Sequence, residues 1–92
     1  MSDDARLLIG SLSNDLLRLS TFTHNGSPSA RRFLIEAKRW AVPLQGADLP
    51  PYITKIVRDI SSLPSTLPTI AQAERYLMYS VLLQNYILHF TQ

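Results

Sequence analysis

The sequence contains no cysteine. That excludes a disulfide framework, a thiolate metal site and a cysteine nucleophile. Glycine is scarce, with three in all, Gly10, Gly26 and Gly46. None stands in a GxGxxG or P-loop pattern, so no phosphate-cradling loop is readable. No serine has the GxSxG surroundings of a hydrolase nucleophile. Charged residues make up 17%, against roughly 25% in an ordinary soluble domain. The formal charge of +2 is too small to imply a nucleic-acid or membrane partner by itself. The most apolar stretch, residues 76–90, carries no Asp, Glu, Lys or Arg. It is shorter than the ~20 apolar residues a spanning helix needs. It also holds Ser80, Gln84, Asn85 and His89. A buried helix is expected there, not a membrane anchor. Asp3 and Asp4 occupy the place where a secretory leader needs positive charge, so no leader is expected and the cytoplasm is the expected compartment.

What is present points to helices. Hydrophobic residues reach 46% in 92 residues, enough for one domain over 1–92 with a thin core. Ordinary hydrophobicity with little charge leaves few solvated side chains to cover the surface. Self-association or a permanent partner is the simplest remedy.

Four helical segments are separated by punctuation. The first covers 3–21, with Ser2 as a cap and Asp3 and Asp4 at the positive end of the dipole. Leu8, Leu12, Leu16 and Leu19 recur on one face at helical spacing. Gly10 weakens its middle by about 1 kcal/mol relative to Ala. The second covers 28–42, with Ser27 as cap and Pro28 at the first helical position. Phe33, Leu34, Ala37 and Trp40 form its apolar stripe, and Pro43 is expected to stop it. The third covers 50–63, capped by Asp48 or Leu49 and opened by Pro50 and Pro51. Ile53, Ile56, Val57 and Ile60 line its inner face. The fourth covers 69–90. Thr69 and Gln72 have capping-box spacing. No strand alternation is present, and Asn25-Gly26 reads as an interhelical loop because its flanks lack period-2 runs. The expectation is an all-α, compact, four-helix bundle-like domain with short proline-marked connections. From the fourth helix, Leu77, Val81 and Leu82 are expected to complete the core.

The catalytic inventory is poor. His24 and His89 have no acidic neighbour one helical turn away, so neither reads as a metal ligand or a base. His89 suits the negative end of a helix dipole. Each of the seven carboxylates has a plain role as a cap, a first-turn acid or a solvated charge. No enzyme, metal or cofactor is expected. An uncharacterised enzyme is kept as the last alternative, and it would need two carboxyls facing one cleft.

Two patterns carry more content. At 100° per residue, Arg31, Arg32, Ile35, Lys38 and Arg39 fall on one side of the second helix, opposite its apolar stripe. That basic face could meet an acidic protein partner or, as the alternative, nucleic acid in a small regulator. Trp40 points to the other side, so the stacking group that single-stranded nucleic acid would favour is missing. On the fourth helix apolar residues fall on nearly every side, as on a helix buried between subunits. Tyr79, Leu83, Tyr86, Ile87 and Phe90 are the expected self-association residues, with tyrosine tips at an interface edge. Gln84 and Asn85 could set the register of such a pairing. The function expected is a non-catalytic protein-interaction or adaptor module, working as a homodimer.

Overall fold

The computed structural model describes residues 3–90, with the side chain of Phe90 left aside. The elements run in the order α1 (Asp3–His24), α2 (Ala30–Ala41), a 3-10 turn (Val42–Leu44), α3 (Pro51–Ser61) and α4 (Ile70–Phe90). The described residues form an all-helical fold, in which four α-helices pack compactly within 37 × 23 × 19 Å. No helix among the described residues is long and apolar enough to cross a membrane.

Helix ends follow local chemistry. α1 runs one turn longer than expected and stops at Gly26, whose φ is +67°. The Gly26 N–H reaches the Thr23 carbonyl at 3.0 Å and the Ser27 N–H the Phe22 carbonyl at 2.9 Å. This is a Schellman ending, and it requires a residue at ease in the left-handed region. The expected cap Ser2 lies outside the described residues. Ser27 Oγ accepts the Ser29 N–H at 3.2 Å. It thereby caps a tight lead-in turn, and regular α geometry starts at Ala30.

Pro43 does not end the second helix abruptly. Val42 keeps helical angles (φ −56°, ψ −48°), and the chain tightens into the 3-10 turn that buries Leu44. Burying Leu44 outweighs the usual extension before proline. At α3 the cap is Pro50, neither Asp48 nor Leu49, and Pro51 occupies the first position, where a missing N–H costs nothing. The capping box at α4 is formed in full. Thr69 N–H donates to Gln72 Oε1 at 2.8 Å, and Gln72 N–H donates to Thr69 Oγ1 at 3.2 Å.

The core is built on α1. Ile9, Leu12, Leu16 and Leu19 are fully buried, joined by Leu34, Ala37, Ile53, Ile56, Val57, Ile60 and Leu83. Leu8, Phe33, Trp40 and Leu82, expected inside, are only partly buried at its edge.

α1 and α4 run antiparallel, and small residues let them approach closely. Ser13 Oγ donates to the Ser80 carbonyl at 2.9 Å, and Ser80 Oγ donates to the Ser13 carbonyl at 2.8 Å. A Cβ on Gly10 would meet Ile87 Cδ1 at 3.7 Å.

That seam decides which side of α4 turns inward, and it reverses the sequence expectation. Ala73, Tyr76, Tyr79, Ser80, Leu83 and Tyr86 are buried, whereas Leu77 and Val81 are 41% and 51% exposed. The expected core pair Leu77 and Val81 is therefore outside. Hydropathy cannot choose between faces that are equally apolar. The choice falls to the face with small residues at the crossing and with hydroxyls that find partners. Tyr79 Oη donates to Asp59 Oδ2 at 2.5 Å, tying α4 to α3. Tyr86 meets the Tyr52 ring edge-on at 6.4 Å.

Candidate interaction surface

The residues expected to mediate self-association have other places. Tyr79, Leu83 and Tyr86 are buried within the chain, and Ile87 is partly buried against the core. Tyr79, Leu83 and Tyr86 hold α4 onto its own domain, while Ile87 also lines a groove between α1 and α4. The side chain of Phe90 lies outside the described residues.

The surface that α4 does present forms with α1. Along α1 the outward row is Leu7, Gly10, Asn14 and Leu17. Along α4 it is Leu77, Val81 and Gln84, with Met78 beside it. Both rows keep the alternating three- and four-residue step of helices that pack in pairs. Leu7 is 70% exposed, Leu17 46% and Met78 54%. Between the rows lies an open groove. One end, about 620 Å3, is lined by Leu7, Gly10, Ser11, Asn14, Gln84 and Ile87. The other end, about 330 Å3, shares Asn14 and Gln84 and adds Leu17, Leu77 and Val81. Its polar groups are hydroxyls and amides. Charge appears only at the ends, as Asp3 and Arg6 in the wider part and Glu74 at the start of α4. Several exposed aliphatic side chains in one strip exceed the scattered apolar residues of an ordinary surface.

The basic face of α2 is present in part. Arg31, Arg32 and Arg39 are exposed, and so is Ile35 at 45%. Lys38 is partly buried, and its ammonium donates to the Leu63 carbonyl at 2.5 Å. It pins the α3–α4 linker. Arg32 pairs with Glu36 at 3.6 Å, and its guanidinium lies 5.8 Å from the Phe33 ring centre. Arg31 and Arg39 flank Ile35, and Val42 extends their line with 51% exposure.

A third constellation was not legible in the sequence. Asp15 is 3% exposed and accepts the Trp40 indole N–H at 2.7 Å. Arg18 stands 3.6 Å from its other oxygen. Burial pushes the Asp15 carboxyl above its ordinary range. The Trp40 hydrogen bond opposes that shift, Glu36 reinforces it by repulsion, and Arg18 offsets it further. The side chains meet in a cleft of about 180 Å3 between α1 and α2. Phe22 and Phe33 stack at 5.1 Å and 9°, with Arg18 5.9 Å from the Phe33 ring centre. Asp15 is therefore no solvated charge. It is the acceptor that lets a tryptophan with a polar N–H lie against α1. A one-turn pattern search misses it, because its partners come from another helix.

The tyrosines of α4 are held in the neutral form. Burial, and then the bond to Asp59, push Tyr79 up to about 12, and burial raises Tyr76 and Tyr86 as well. Among the described residues no three His, Asp or Glu side chains gather as a metal site. No protein-family model matches the chain, and neither a curated protein nor a solved structure is detectably similar to it.

Proposed function

We propose that the chain is a cytoplasmic, non-catalytic protein-interaction module that pairs with a second copy through the outer face of α1 and α4. One observation carries the reading: a groove with charge only toward its ends, flanked by Leu7, Leu17, Leu77 and Val81, all at least 41% exposed. Fully burying a leucine or valine side chain is worth about 1.5–3 kcal/mol, so covering this strip is a substantial driving force. Its amides and hydroxyls both donate and accept, so an identical face can satisfy them without charge.

The α2 ridge of Arg31, Ile35 and Arg39 stays outward in this reading and is offered to an acidic protein partner. Lys38 and Arg32 are engaged within the chain. That favours a local contact over the cationic track that nucleic acid requires.

Light scattering behind size exclusion, over a range of concentrations, tests the reading. The expected mass is twice 10.4 kDa. A monomer at every concentration would refute it.

A further inference from the structure

We propose that the second copy sits on the α1/α4 face turned end for end. The two-fold axis would cross the face near Asn14 and Val81, perpendicular to the helices, so that α1 lies over α1 and α4 over α4. This rests on the self-association reading above and names its arrangement.

The groove is uneven along its length, and that unevenness selects the arrangement. Ser13 stands opposite Ser80, which places Asn14 and Val81 at nearly the same height on antiparallel helices. With a rise of 1.5 Å per residue, Gly10 lies about 6 Å from Asn14 toward the start of α1. Leu17 lies about 4.5 Å from Asn14 the other way, and Leu77 about 6 Å from Val81 in that same direction. The wide part of the groove is over Gly10, where a side chain is missing. Leu17 and Leu77 rise at the opposite end, while Leu7 stands beyond the notch at its own end. Turning the second copy end for end lays its Leu17 and Leu77 over the notch at Gly10, and the symmetry repeats the contact. A two-fold axis parallel to the helices would set notch over notch and leave both unfilled.

Charge agrees with the same choice. Arg6 lines the notch end, about 12 Å from Asn14 along the helix. Glu74 lies on the α4 outer row, about 10 Å from Val81 at the opposite end. The end-for-end turn brings each Glu74 to the partner's Arg6. Near the axis Asn14 meets its own copy, and amides can pair with amides.

The area is adequate too. Helices of 22 and 21 residues, each about 30 Å long and about 10 Å across, present roughly 600 Å2 before corrugation is counted. Two such faces bury roughly 1,200 Å2 in total, above the ~1,000 Å2 that a specific interface should clear.

Single cysteines give a clean test, because the chain has none of its own. Val81→Cys should form a disulfide-linked dimer on mild oxidation. A mixture of Gly10→Cys and Leu17→Cys chains should cross-link to each other faster than either does to itself. Gly10→Leu fills the notch, and should weaken dimerisation about tenfold or more while circular dichroism shows an intact helical fold. A dimer whose Leu17→Cys chain links instead to Leu77→Cys would overturn this arrangement and leave self-association standing. So would a dimer untouched by Gly10→Leu in a chain that still folds. A monomeric wild-type chain would overturn both.

Discussion

The two faces of α4 contain the same kind of residue and meet opposite fates. Leu83 is fully buried and Leu77 is 41% exposed, although they stand six positions apart in a stretch of α4 without Asp, Glu, Lys or Arg. What separates them is what stands beside them. Leu83 shares its face with Ala73 and Ser80, which let α1 approach, and with Tyr79, whose hydroxyl donates to Asp59. Leu77 shares its face with Val81, Gln84 and the gap over Gly10. Backbone proximity and polar satisfaction, not hydropathy, chose the inner side.

The strongest way to break this comparison is to empty the inner face. Leu83→Ala removes a fully buried side chain from the middle of the core. A loss of about 2–5 kcal/mol is expected, read as a shift of the urea midpoint with an unchanged slope. A loss below 1 kcal/mol would mean that the inner face is loosely packed and that the contrast with Leu77 is false.

Ser80→Leu attacks the crossing itself. The added bulk cannot fit between α1 and α4 at a 2.8 Å hydrogen bond, and the bond to the Ser13 carbonyl is lost. Overpacking costs typically about 1–3 kcal/mol. Val81→Leu, one residue on, should cost almost nothing, because Val81 faces the open groove. Equal effects at the two sites, measured in the same denaturation series, would show that the seam does not depend on small residues.

These particulars explain what could be read from the sequence. The helices of the first three segments were legible because each has one apolar stripe and clear punctuation. Ile53, Ile56, Val57 and Ile60 fall where their spacing puts them, and Thr69 and Gln72 cap as their types require. The inner and outer sides of α4 were not legible, because a helix apolar all round has no stripe to read. The signal available was Ala73 and Ser80, seven apart, matched by the buried Ser20 and Ser13, seven apart on the antiparallel α1. Such small-residue rows mark a close approach only once the partner helix is known. Asp15 was hidden for a related reason. A carboxylate on a helix reads as solvated until Trp40, 25 residues away, supplies an N–H. The basic face of α2 was visible as a pattern, but Lys38 and Arg32 are committed within the chain, through contacts that periodicity does not describe.

Asp15 extends the comparison to the α1/α2 seam, where burial is likewise set by a partner. Its carboxyl titrates above the ordinary value in the folded chain. The folded state therefore holds a proton that the unfolded state has released. Stability is then greatest below the unfolded carboxyl range and falls as pH rises through the folded value. Asp15→Asn keeps an oxygen for the Trp40 N–H and removes the ionisation. The expected result is a chain at least as stable at neutral pH, with a flatter dependence of melting temperature on pH above about 4. If the variant melts lower at pH 7, the ion pair with Arg18 outweighs desolvation, and the seam is held by charge.

The smallest effect on the folded chain is expected from Leu77→Ser. At concentrations where the chain is a monomer, Leu77 already meets water, so its loss should change stability by no more than about 0.5 kcal/mol. The same substitution should shift the association midpoint to higher concentration, because the contact that buries Leu77 exists only in the dimer. Paired with Leu83→Ala, it separates the two faces by their readouts: one variant moves the urea midpoint of the monomer, the other moves the concentration dependence of the mass. A chain in which Leu77→Ser lowers monomer stability as much as Leu83→Ala does would have Leu77 in its core. The outer face would then be no surface, and the groove beside Gly10 would have no leucine to receive.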